Sequence, residues 1–137
     1  MTLTKSKTLP VLIPRILLGL IYFVFGLNFF LHFIPNTQQP NAKAAAFLGG
    51  LFQSGYLFPL IKTIEVFAGT LLLAGFFVPL LLIVLMPISL NIFLFHSVLE
   101  PGGAGIGLSA AILLLQLYLA WSYRDNYKHF FIPRPVL

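Results

Sequence analysis

The chain has 137 residues, 59% hydrophobic and 8% charged, with a mean hydropathy of +0.99. Soluble domains are roughly a quarter charged and leave about a third of their unfolded surface in water, so this composition excludes a soluble fold and predicts one integral membrane domain spanning residues 1–137. The net charge of +5 comes from eight Lys and Arg spread along the chain and gathered towards its ends, an orientation signal that speaks against nucleic acid as a partner. The absence of Cys excludes disulfide exchange, thiolate nucleophiles, iron–sulfur ligation and Cys-based zinc sites.

In chain order, Lys5 and Lys7 precede an apolar stretch in the manner of a signal peptide. That stretch, residues 14–34, is long enough to cross the ~30 Å hydrocarbon core, and the nearest small-residue sites, Ala42 to Ala46, lie well beyond it, so a retained first span is expected. Pro35 and Asn36 end it, and Gln38, Gln39, Pro40 and Asn41 form a polar connection. Residues 42–56 carry Phe47, Leu48, Leu51 and Phe52 at helical spacing but are interrupted by Gly49, Gly50 and Gly55, which predicts an interfacial or re-entrant segment, a candidate lid. The second span is expected over 57–77 and, after a tight turn at Pro79, the third over 79–98, kinked or unwound at Pro87. A break at Glu100 to Ala104 precedes a fourth span over 105–123. The fold class predicted is an all-α, integral membrane four-helix bundle.

Lys5, Lys7 and Arg15 lie before the first span and Arg124, Lys128 and Arg134 after the fourth, while Lys43 and Lys62 lie towards the other side. The positive-inside rule then places both termini in the cytoplasm, with Trp121, Tyr123 and Tyr127 at that interface. Tyr22 and Tyr56 need no special account on this reading. Small residues at Gly19 and Gly26, at Ala68, Gly69, Ala74 and Gly75, and at Gly103, Gly107 and Ala111 allow close helix approach. Packing inside the bundle is the expected use, a homodimer face the alternative.

Three polar pairs interrupt the apolar spans: Asn28 with His32, Lys62 with Glu65, and Asn91 with His96. Threaded through a bilayer they fall in the same, extracytoplasmic half, with Asn28, Glu65 and Asn91 within roughly 3 to 6 Å of one another in depth. Polar side chains at membrane depth are costly and mark sites. The four-residue and three-residue spacings put the first two pairs each on one helix face; the five-residue spacing of Asn91 and His96 does not, unless Pro87 rotates the helix or His96 reaches the interface. Glu65 is the titratable centre, a candidate proton carrier, and a structural ion pair with Lys62 is the plainer alternative. Arg15 is placed to contact headgroups or a partner carboxylate such as Asp125. Gln116, deep in the fourth span, is expected to hydrogen-bond across helices. No metal is expected, because His32, His96 and Glu65 lack the tight spacing of a ligand motif, and His129 lies beyond the last span.

The segments RILLGLIYFVFGLN (15–28), EVFAGTLLLAG (65–75) and NIFLFH (91–96) resemble the DoxX family of small four-span membrane proteins. The resemblance covers the first three spans. It implies a four-helix bundle in the bacterial cytoplasmic (inner) membrane, with Arg15, Asn28, Glu65, Asn91 and His96 at the family's polar positions, and a link to quinone-dependent redox chemistry. Three readings remain open. In the first, a redox-associated subunit binds an isoprenoid quinone or similar lipid through Asn28, His32, Lys62, Asn91 and His96, with Glu65 carrying protons and a membrane partner supplying electrons. In the second, the chain is a non-enzymatic scaffold or assembly protein, and in the third a proton or small-solute pathway.

Overall fold

In the computed structural model, which describes residues 8–133, four helices are long and apolar enough to cross a membrane. The protein is a multi-pass membrane protein with an all-α bundle. Helix α1 (Leu9–Leu31) is followed by a short α2 (Ala42–Gln53), then α3 (Leu57–Ala74), α4 (Val78–Leu94), α5 (Gly105–Ser122) and a four-residue α6 (Arg124–Tyr127) that runs into a 3-10 turn (Lys128–Phe131). Twenty-three residues in α1 give about 34 Å of helix, enough to span; the twelve of α2 are not. Lys5, Lys7 and Arg134, half of the orientation signal, lie outside the described residues.

Boundaries move from the sequence expectation for identifiable reasons. Helix α1 begins at Leu9, five residues early, because Pro10 sits in its first turn, where a missing N–H is harmless. It stops at Leu31 because His32 turns left-handed (φ 53°), its N–H donating to Asn28 O at 2.8 Å, and the Asn28 side-chain oxygen accepts from Ile34 N–H at 2.6 Å. Helix α3 stops at Ala74, not 77: Gly75 takes φ 81°, and Phe76 N–H donates to Leu71 O at 3.0 Å in a glycine-terminated cap. Phe77, also left-handed, launches α4 with Pro79 in its first turn.

Helices α1 and α3 form the tightest seam. A Cβ on Gly69 would lie 2.6 Å from Phe23 N and 2.8 Å from Gly19 O, so only hydrogen fits where the two backbones meet. The glycines expected to pack inside the bundle on α1 and α3 do so. The row on α5 does not: Gly107 and Ala111 face outward, and nothing lies within 4 Å of a Cβ at Gly107. Helix α5 packs on α4 and α1, and the core of Leu18, Leu72, Leu82, Leu85 and Leu119 fills the half of the bundle nearer α6. At the opposite end, under α2, the packing opens.

Candidate functional site

The opening is a cavity of about 540 Å³ bounded by all four spans and by Phe47, Leu48 and Leu51 on the inner face of α2. Its size is that of a small-molecule site, and its wall is mostly apolar with a few polar groups. Phe25, Phe47, Phe58 and Phe95 supply aromatic surface; Lys62, Glu65, Asn91 and His96 supply the polar atoms. Four of the six residues expected to bind a ligand or carry protons therefore line one cavity.

Lys62 and Glu65, one turn apart on α3, form an ion pair with Lys62 Nζ donating to Glu65 Oε2 at 2.9 Å. The carboxylate is 2% exposed, close to α1 because Gly26 has no side chain: a Cβ there would stand 3.1 Å from Glu65 Cβ. Lys62 also sits 5.6 Å from the centre of the Phe58 ring, an aromatic face that favours a cation.

Asn91 and His96 both line the cavity although their five-residue spacing does not put them on one helix face. The end of α4 continues as a π-turn (Phe95–Leu99), closed by Glu100 N–H donating to Phe95 O at 2.9 Å. His96 is the second residue of this turn, and such turns occur mostly singly and at functional sites. Gly105 completes the arrangement, since a Cβ on it would fall on the His96 ring. His96 Nδ1 is buried without a hydrogen-bond partner, 3.8 Å from Glu100 Oε2. Gly105, read from sequence as the start of the fourth span, thus leaves the room that a cavity residue occupies.

Asn28 and His32 are not in the cavity wall. They build the end of α1 as described, and His32 is exposed. Arg15 lies inside the bundle at 7% exposure, with its guanidinium stacked where a side chain on Gly75 would be. His129 is exposed on the 3-10 turn at the far end. Among the described residues no three of His, Asp and Glu come together as a metal-binding group.

Two residues close the inner end of the cavity. Tyr22, in the cavity wall and 2% exposed, donates to Gln116 Oε1 at 3.2 Å, with Ser89 beside its hydroxyl. Gln116 Nε2 in turn donates to Leu82 O at 2.8 Å. Pro87 lies inside α4 and has no N–H for Ile83 O. Gln116, expected to bridge helices, does so in the turn before Pro87. Tyr22 was overlooked, although it shares a helix face with Gly19 and Gly26, three residues after one and four before the other, and that spacing was the available signal.

Helix α2 is held at both ends over the cavity. Asn41 Oδ1 accepts from Ala44 N–H at 3.0 Å as a helix cap while its Nδ2 donates to Leu99 O at 2.6 Å. Phe52 stacks on Phe58 at 4.6 Å and 10°, and Phe47 meets Phe95 at 5.8 Å. Family models, curated proteins and solved structures yield no match to this chain.

Proposed function

We propose that this membrane protein is a redox-associated subunit that binds a quinone headgroup, or a similar ring-bearing lipid, in the cavity beneath α2, on the extracytoplasmic side of a bacterial inner membrane. The observation that carries the reading is the composition of one wall: a largely apolar, phenyl-lined cavity of about 540 Å³ with a buried Glu65 paired to a half-buried Lys62, Asn91 and His96. A planar ring gains from the aromatic surface, and its oxygens gain from donors held in low dielectric. Arg15, Asn28 and His32 lie outside that wall and act on helix packing and the α1 terminus. In this reading DoxX-like sequence features and the cavity point the same way, and electrons come from a partner protein, since the sequence has no Cys with which to hold an iron–sulfur or thiol redox group.

A second reading, a membrane scaffold, has one observation in its favour. Gly107 and Ala111 face outward on α5, four residues apart, as a seam for another helix or a second copy would.

Native mass spectrometry of the detergent-purified protein separates the two. Wild type is expected to retain a stoichiometric isoprenoid quinone, or to take one up saturably, and a folded His96→Ala variant to lose it. Bulk phospholipid alone, with no saturable uptake of added quinone, would remove the ligand-binding reading and leave the scaffold.

A further inference from the structure

The hydrogen-bonding capacity left unused in the cavity specifies more than a ring. Glu65 is 98% withdrawn from the surface by its 2% exposure, yet its carboxylate has one partner among the described residues, Lys62 on Oε2. An ionised carboxylate only accepts, with room for about four hydrogen bonds on its two oxygens, and a buried charged acceptor left short is costly. Oε1 is therefore available to whatever fills the cavity. Lys62, with three N–H donors, uses one on Glu65. The two heads are 2.9 Å apart, close enough for a single oxygen to meet both.

Resting on the quinone-site reading above, we infer that the cavity selects the reduced, hydroxyl-bearing form of the ring: a quinol O–H donates to Glu65 Oε1 while its oxygen accepts from Lys62 Nζ. A hydroxyl is donor and acceptor at once, so one group satisfies both partners. A quinone carbonyl accepts from Lys62 but brings lone pairs against Oε1, and a phosphate headgroup brings a full negative charge there. The discrimination follows the rule that a site built to bond a hydroxyl rejects the analogue without one, because its buried polar atoms are left unpaired.

The test is a binding series on wild-type protein in detergent under anaerobic conditions, by isothermal titration with a short-chain benzoquinol, the matching quinone and the quinol bis-methyl ether. The quinol is expected to bind roughly ten- to a hundred-fold more tightly than the quinone, the range of one charge-assisted hydrogen bond, and the ether no better than the quinone. A quinone that binds as well as or better than the quinol overturns the inference and leaves the quinone-site reading intact. If none of the three saturates, both fall. In Glu65→Gln the amide oxygen takes the Lys62 donor and the amide N–H₂ faces the ligand, so the preference is expected to reverse towards the quinone; an unchanged preference in a variant with wild-type melting behaviour also overturns the inference.

Discussion

Substituting Gly69 by Ala tests the seam on which the cavity depends. In an isolated helix this exchange is favourable by about 0.8–1 kcal/mol, because Ala loses less backbone entropy than Gly. In the bundle the new methyl would stand 2.6 Å from Phe23 N, 2.8 Å from Gly19 O and 3.0 Å from Phe23 Cα, where ordinary contacts begin at 3.4 Å. The neighbours are backbone, not rotatable side-chain ends, so relief requires α1 and α3 to separate by about 0.8 Å, a shift of the kind that costs roughly 1–3 kcal/mol in a packed core. Set against the propensity gain, this strain leaves a net loss of up to about 2 kcal/mol. Gly107→Ala is the matched control, since nothing lies within 4 Å of its Cβ position and only the gain remains. Thermal unfolding in one detergent, followed by circular dichroism, compares them. Gly69→Ala as stable as Gly107→Ala would refute the close approach of α1 and α3, and with it the placement of Glu65 beside Gly26.

The polar end of the cavity and the α6 end make two further predictions. Gln116→Leu removes the acceptor of Tyr22 and the donor to Leu82 O together; interhelical bonds in membranes average about 0.6 kcal/mol each, so a loss of about 1–2 kcal/mol is expected, partly recovered when Tyr22→Phe is added, and full additivity would show that the pair is not coupled. At the far end, burial and then the neighbouring Tyr123 push the Tyr127 phenol from 10.0 up to about 12, and its hydroxyl donates to Pro79 O at 2.9 Å. A raised folded-state value means its contribution is complete below pH 10 and lost as pH rises towards 12. The stability difference between wild type and Tyr127→Phe should therefore shrink over that interval, and a difference that stays constant to pH 12 would contradict it.

The transmembrane architecture was legible because hydrocarbon imposes one requirement, continuous apolar length, that hydropathy reads directly. Lys62 and Glu65 were legible as a pair because three residues along α3 is a fixed geometry. The other two pairs show where periodicity fails. Asn28 and His32 have helical spacing, but the helix ends between them: Asn28 accepts from Ile34 N–H and His32 turns left-handed, so the spacing described a terminus and not a face. Asn91 and His96 have the wrong spacing for one α-helical face and still line one cavity, His96 from the π-turn that follows α4. Gly105 was illegible because its role lies in the room it leaves for His96, across the helix break.

The position of the cavity along the bundle bears on the pathway reading. A proton route would continue from Glu65 through Tyr22 and Gln116 towards Tyr123 and Arg15, the next polar residues in the core. Gln116 and Tyr123 are seven residues apart on one side of the bundle, about 10 Å of helix. The space between them is occupied by Leu18, Leu72, Leu82 and Leu119, all at most 1% exposed. Both amide groups of Gln116 are already engaged, one by Tyr22 and one by Leu82 O, and close-packed leucines offer a water neither room nor the polar partners it needs. A polar chain that ends on a carbonyl and a leucine layer fits a blind cavity in which Tyr22, held by Gln116, forms the floor, and under the proposed function Glu65 would act on the ligand alone.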